Sequence, residues 1–275
     1  MTILVAEIGW NFLGNLNIAK KMIYSAKRAG ADVVKFQIWN PKFLKKGPWD
    51  EDGRREIYEK AFLDQQKYMK LKVFSKERNI KCFASAFNLE GARLLKKTGD
   101  KWIKIPSHEA YNMNLINYAL QNFEKIIISA GCLKKKELNK LIKLIQSNKK
   151  IKKKTTLLHC VSSYPLMPEN CNFKKFEYIK EKLGKVGYSG HFQGIEDSVY
   201  ALFNDAEIIE KHFTINNKLP GRDNKFALIE SQLSELKNYI DLKKKFDVNK
   251  GLDLQKCEKD IYNNYRGRWS KNIRN

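Results

Sequence analysis

The residues with most chemistry to offer fall at the ends of short apolar runs. Lys35 follows Val33 and Val34 and precedes Phe36, so its alkyl stem must thread apolar surroundings, where a lysine is rare unless paired. Lys104 sits in a second such run, and Ser85, Ser107, Ser129 and Ser189 close others, with Ser162 and Ser163 after one more. A compact anion such as phosphate needs several donors converging from different directions and cationic charge to offset its own. Hydroxyls without bulk and the two ammonium groups supply both. His191 and His212 stand at or just past the ends of two consecutive runs. On neighbouring strands, about 4.8 Å apart, two imidazoles can share one divalent metal and leave positions open for water and substrate. Ordinary hydrogen bonding is the alternative for such a pair. His159, within TLLHC, reads as a satisfied core histidine, and His108 lies in a turn with no evident partner. Glu7, Gln37, Glu109, Tyr164, Glu210 and Lys211 add further polar groups at run ends.

These side chains need a scaffold that brings many strand ends together. Eight runs read as strands, over 3–8, 32–37, 81–85, 102–106, 125–129, 155–161, 185–189 and 207–212. Amphipathic patterns between them predict helices near 16–29, 56–79, 89–98, 113–121, 134–148, 174–182 and 195–204, with another near 230–246. Strand–helix alternation repeated eight times predicts an α/β fold, a (β/α)8 TIM barrel with its chemistry at the C-terminal strand ends. A doubly wound open sheet competes, but no GxGxxG or GxxxxGK[ST] turn is present. Residues 39–55 read as a long loop, and no linker or repeat divides the chain, so one domain over 1–275 is expected.

Composition narrows the function classes. The chain has 275 residues, 53 Lys+Arg against 30 Asp+Glu, and a formal charge of +23. Of the basic residues 44 are lysine and only nine arginine, and lysines punctuate helical faces, as in KKKELNKLIKLIQSNKKIKKK (134–154). Base readout and bidentate phosphate contacts favour arginine, so the charge predicts nonspecific attraction to polyanions rather than a nucleic-acid partner. No apolar run approaches the roughly 18–20 residues of a membrane helix, and MTILVAEIGW lacks the positive start of a signal peptide. Five cysteines, never in a CxxC pair, read as reduced thiols of a cytoplasmic protein.

At these residues the chain resembles the sialic acid synthase family, which includes N-acetylneuraminate, pseudaminic and legionaminic acid synthases. The resemblance rests on VAEIGWNFLGNLNIAKKMIYSAKRAGADVVKFQ (5–37), CFASAFNLEGARLL (82–95), KIPSHEAYNMNLI (104–116), IISAG (127–131), LLHCVSSYPLMPE (157–169) and VGYSGHFQGIEDS (186–198), then EIIEKHFTINNKLPGRDNKFAL (207–228). It implies a TIM barrel that condenses phosphoenolpyruvate (PEP) with the open-chain aldehyde of an acetamido sugar, N-acetylmannosamine-like or a diacetamido hexose. The products would be a nonulosonic acid and phosphate, for surface polysaccharide or glycan biosynthesis. Carried over by position, the resemblance assigns Lys35, Ser85, Lys104, Ser107, Ser129, Ser162 and Ser189 to PEP. It assigns Gln37, Tyr164 and Asp223 to the sugar, His191 and His212 to Mn2+ (or Mg2+ or Co2+), and catalytic roles to Glu7, Glu109 and Lys35.

The family motifs are altered in places. Phe12 stands where EIGxNHxG has its histidine, Ala84 and Ala86 flank Ser85 in place of STPF, and His108 interrupts SGE. Gly190 replaces the aspartate of YSDH, and GPDHK reads Gly221-Arg222-Asp223-Asn224-Lys225, which makes Arg222 a candidate substitute contact. These changes cluster where the sugar should lie. A relative that binds PEP or a sugar phosphate without synthesis is the alternative reading. Family members continue past an arginine–serine segment into an antifreeze-like domain that caps the partner's barrel. Arg268-Trp269-Ser270 is followed by five residues, so the expectation is a barrel without that domain, extended by helix over about 230–265. A separate cap-domain protein and a homodimer are the possible partners.

Overall fold

Alternating inward and outward side chains shape a closed parallel barrel in the computed structural model, which describes residues 2–50 and 53–269, the side chain of Trp49 excepted. Residues 51–52 of the long loop and the segment from Ser270 onward lie outside the described residues. The strands are β1 (Ile3–Gly9), β2 (Val33–Ile38), β3 (Lys81–Ala86), β4 (Trp102–Ile105), β5 (Lys125–Ser129), β6 (Thr155–Cys160), β7 (Gly187–Gly190) and β8 (Ile208–His212). They pair in sequence order, and β8 closes on β1.

The helices are α1 (Leu16–Arg28), α2 (Arg54–Lys60), α3 (Gln65–Glu77), α4 (Leu89–Lys97), α5 (Met113–Asn122) and α6 (Lys135–Gln146), followed by α7 (Lys149–Lys154), α8 (Phe173–Leu183), α9 (Glu196–Phe203), α10 (Arg222–Phe226), α11 (Glu230–Phe246) and α12 (Lys259–Asn264). Asparagine and aspartate start several of them. Asn15, Asn88 and Asn112 accept from backbone N–H groups of α1, α4 and α5, which satisfies donors the first helical turn leaves free. The helix expected over 56–79 is two helices: α2 ends at Lys60 with Ala61 as its C-cap, and Asp64 caps α3 by accepting from Lys67 N at 2.8 Å. An unexpected helix, α7, follows α6 because Asn148 caps a new start. The expected loop over 39–55 contains two 3-10 turns, Pro41–Phe43 and Pro48–Asp50.

The barrel lumen has an apolar floor. Val5, Val33, Phe83, Ile127, Leu158 and Ile208 form one buried cluster. Because strand side chains repeat every two residues, the next inward positions are Glu7, Lys35, Ser85, Ser129, Cys160 and Glu210, with Lys104 and Ser189 completing the layer. Outward residues such as Leu4, Ala6, Ile8, Val34, Phe36, Ile126, Ile128 and Ile209 join a larger core under the helices. The interior is thus packed below and polar above, as expected of this architecture. Contacts divide the chain more finely than the one-domain expectation, into Met1–Ile240, which holds the barrel, and Asp241–Asn275, which holds α12. Among the described residues no helix is long and apolar enough to cross a membrane.

Candidate active site

A ring of buried charge sits on the apolar floor. Lys35 Nζ lies 2.6 Å from Glu7 Oε2 and 3.7 Å from Glu210 Oε1, and donates to Ser85 Oγ at 2.9 Å. Lys104 Nζ donates to Glu210 Oε1 at 2.7 Å, and Ser189 Oγ reaches the same oxygen at 3.1 Å. Lys35 and Lys104 are 2 % exposed, so this pairing is what makes their burial tolerable. The two carboxylates are driven apart. Burial pushes the Glu7 carboxyl up to about 7 despite the attraction of Lys35. Burial also opposes ionisation of Glu210, but Lys104 and Lys35 together outweigh it and hold that carboxyl at about 2. Burial thus favours protonation of Glu7 over Glu210, and the two lysines that converge on this layer suit it to an anion.

Hydroxyls gather beside this layer. Ser129 Oγ and Ser162 Oγ are buried without a hydrogen-bond partner, as is Glu210 Oε2. A Cβ on Gly131 would come within 2.5 Å of Ser107 Oγ and 2.7 Å of Ser162 Oγ. Only glycine lets those hydroxyls converge there. Buried polar atoms are rarely left unpaired, and a cluster of them beside cations points to a ligand. Lys35, Ser85, Lys104, Ser107, Ser129, Ser162 and Ser189 therefore occupy one region around the C-terminal strand ends.

The histidine pair lies next to it. The rings of His191 and His212, on adjacent strand ends, have centroids 5.4 Å apart. His191 Nδ1 sits 2.9 Å from Val161 O, which turns Nε2 away from the backbone. His212 Nδ1 has no hydrogen-bond partner and lies 3.6 Å from Asp223 Oδ2. Burial holds the His191 imidazole at about 4 and drives His212 well below its ordinary value, so both rings are neutral and able to ligate. Two neutral imidazoles and an orphaned ring nitrogen fit a divalent ion with its other positions open. Among the described residues no group of three or more His, Cys, Asp or Glu gathers there to close such a site.

Aromatic and charged groups line the mouth. Tyr164 packs on His191 with centroids 4.2 Å apart, and the Arg222 guanidinium lies 4.4 Å over the Tyr164 ring. Arg222 Nε also holds Asp223 Oδ1 at 3.2 Å, while Trp10 Nε1 donates to Asp223 Oδ2. Burial raises the Asp223 carboxyl, and Arg222 opposes that rise. Gln37 Nε2 donates to Glu7 Oε1, which couples this residue to the charged layer.

Some expected members stand apart. Glu109 is half-buried in the turn after β4, where it accepts from Asn112 Nδ2 at 3.0 Å. His108 does have a neighbour, the Phe87 ring 4.7 Å away. His159 faces α8 and its Nε2 lies 2.8 Å from Cys171 O, while its Nδ1 is buried without a hydrogen-bond partner, so the expected core histidine is only half satisfied. Sequence reading gave no role to Glu210, the pivot of the layer; its signal is its place two residues before His212 on the same strand face. Trp10 and Gly131 were also missed, because nothing local marks a ring that reaches a residue 213 positions away.

Comparison with known proteins agrees with this geometry. Residues 22–250 match the profile of the NeuB family. The chain is 34 % identical over 247 residues to the N,N'-diacetyllegionaminic acid synthase of Campylobacter jejuni, across 86 % of this chain and 74 % of that one. It is 31 % identical over 250 residues to a pseudaminic acid synthase of the same species, across 86 % and 71 %. The N-acetylneuraminic acid (sialic acid) synthetase of Leptospira borgpetersenii, solved with citrate, has a TM-score of 0.83 at 30 % identity, over 97 % of this chain and 93 % of that one. A truncated 3-deoxy-D-arabino-heptulosonate 7-phosphate synthase of Thermotoga maritima, 12 % identical with a TM-score of 0.64, shares the fold. A barrel floored with aliphatic side chains, topped by paired lysines and carboxylates and edged by two neutral histidines, thus belongs to the NeuB family.

Proposed function

We propose that this protein condenses PEP with the open-chain aldehyde of an acetamido sugar, giving a nonulosonic acid and inorganic phosphate. The observation that carries the reading is the buried layer of two lysines and two carboxylates with unpaired hydroxyls beside two neutral histidines. Lys35 and Lys104 offset the charge of PEP, and Ser85, Ser107, Ser129, Ser162 and Ser189 donate to its phosphate and carboxylate oxygens. The methylene carbon of PEP forms a bond to the aldehyde carbon with the electron pair of its C=C bond, and the aldehyde oxygen takes a proton. Water then adds to the neighbouring phosphate-bearing carbon and gives up a proton, and cleavage of that carbon's bond to the phosphate oxygen releases inorganic phosphate. Glu7, held near 7 by burial, is able to take or give a proton at this pH. Gln37, Tyr164 and Asp223 face the acceptor, with Arg222 fixing Asp223 and covering Tyr164. His191 and His212 would hold a divalent ion, Mn2+ in this reading, which when bound polarises the aldehyde oxygen.

The reading sets the reaction in the cytoplasm, consistent with five free cysteines, and takes a homodimer or a separate cap-domain protein as partner. The test is phosphate release from PEP with Mn2+ and a panel of acetamido hexoses. Release that requires both PEP and one sugar supports the proposal. No release with any sugar, together with no PEP binding, overturns it.

A second reading has its own support. Phe12 is fully buried against Phe36, and Asn224 is spent on Thr214 Oγ1, Asn11 O and Pro220 O. Both positions at which a histidine of the sialic acid synthase motifs is replaced, 12 and 224, are therefore structural in this chain. Tight PEP binding without turnover on any sugar would favour a ligand-binding relative.

A further inference from the structure

Gly190 ends β7 at the position where the usual YSDH motif carries an aspartate. A Cβ built on Gly190 would lie 2.2 Å from Asp197 Oδ2 and 2.6 Å from Tyr188 Cε1. The space a strand side chain would enter is thus filled by a carboxylate from α9. That carboxylate, buried behind the barrel wall, takes the Lys211 ammonium on both oxygens, at 3.0 and 3.1 Å. Tyr188 donates its hydroxyl to Oδ2 at 3.0 Å, and Ser198 N and Oγ donate to Oδ1. Lys211 has one further bond, to Phe192 O at 2.7 Å.

The sequence places those contacts next to the histidines. Phe192 follows His191, and Lys211 precedes His212. One ammonium therefore ties the backbone beside one imidazole to the backbone beside the other. Leu166 N, which donates to His191 O at 3.0 Å, holds the same turn from its other side. Neither Asp197 nor Lys211 faces the lumen, so neither can touch a substrate there.

We propose that Asp197 is a positioning residue for the histidine pair, its carboxylate filling space that a side chain on Gly190 would need. It acts through Lys211 on the backbone that carries His191 and His212. Without its carboxylate the buried ammonium is drawn toward water, as an unpaired buried charge must be. The Phe192 carbonyl is then released and the rings lose their fixed separation. The inference rests on the proposed metal role only for one of its two readouts.

The experiment compares wild type, Asp197→Ala and the double variant Gly190→Asp/Asp197→Ala. It measures Mn2+ affinity by calorimetry, the 1H–15N ring signals of His191 and His212 in metal-free protein, and the melting temperature. Asp197→Ala is expected to weaken Mn2+ binding roughly 10–100-fold, the usual effect of losing a group that orients a ligand, and to shift both ring signals. The double variant, with an acid on the strand instead, is expected to recover both. If the single variant does not fold, the double variant decides alone. A folded Asp197→Ala with wild-type ring signals and affinity overturns the proposal. So does a double variant that regains the melting temperature but not the ring signals, or one that does not fold. Absence of Mn2+ binding by wild type would defeat the metal assignment instead, and the ring signals would then decide the positioning role.

Discussion

Glu210 and Lys211 are adjacent in β8 and point to opposite sides of the barrel wall, and each belongs to a buried lysine–carboxylate assembly. The two assemblies look alike by distance and burial: Lys104–Glu210 at 2.7 Å inside, Lys211–Asp197 at 3.0 Å behind, every lysine 2 % exposed. They differ in how completely their atoms are used. Behind the wall both Asp197 oxygens are bonded, and Lys211 has two acceptor residues. Inside, Glu210 Oε2, Ser129 Oγ and Ser162 Oγ have no hydrogen-bond partner, and Glu7 is held near 7. A buried ionic set with every valence filled serves the architecture. One left open keeps its remaining valences for something else.

That contrast can be broken from either side. Lys211→Ala should have the largest effect on folding, a loss of about 3–5 kcal/mol read by urea denaturation, because it strands Asp197 as a buried charge. A smaller loss would mean that the rear pair is not structural. Lys104→Met leaves Glu210 the Lys35 ammonium at 3.7 Å, so it should cost less stability, and it should lower kcat/KM about 10²–10³-fold in the phosphate-release assay, the magnitude of removing one preorganised electrostatic contact. Equal damage to stability and activity in both variants would erase the distinction.

Acid provides a third test of the rear layer. His159 is held at about 4 by burial, against an ordinary value of 6.5, so the native state favours its neutral form. The stability this residue contributes is whole above pH 6.5 and is lost as pH falls through 4, a loss approaching ~3 kcal/mol. His159→Gln should flatten that part of the pH–stability curve between 6.5 and 4, measured as urea midpoints; an unchanged slope would show that other groups carry it. The smallest effect belongs to Ser129→Ala. Its hydroxyl has no partner to lose, so stability should stay within about 0.5 kcal/mol. PEP affinity should fall about tenfold, the worth of one hydrogen bond to a charged group.

Strand-scale pattern made much of this arrangement legible. Lys35 stands out because Val33, Val34 and Phe36 surround it, and the period of two then places Glu7, Ser85, Ser129 and Glu210 on one inner face. The eight alternating runs predict the barrel that the strand pairing shows. What stayed hidden depends on partners distant in sequence. The Lys104–Glu210 bond spans 106 residues, so nothing near Glu210 announces its role. Asp197 reads as an ordinary acid in the first turn of a helix, and only the packing against Gly190 shows the space it fills. Phe12 and Asn224 look like changes to a substrate surface until their burial and hydrogen bonds assign them to the frame. The break between α2 and α3 escaped for a local reason: the apolar spacing continues across it, and only the cap at Asp64 marks the restart.

The Trp10–Asp223 bond gives the site an optical voice. Trp10 meets the Trp39 ring edge-on at 6.4 Å and packs on Tyr58 at 4.8 Å, while its indole N–H is held by the carboxylate proposed to face the acceptor. Such a coupled pair of indoles has a near-ultraviolet dichroism set by the angle between the rings. A sugar that drew Asp223 away would alter that signal and the emission of Trp10 without any label. Acceptors could then be ranked by eye of the spectrometer before a single turnover is measured.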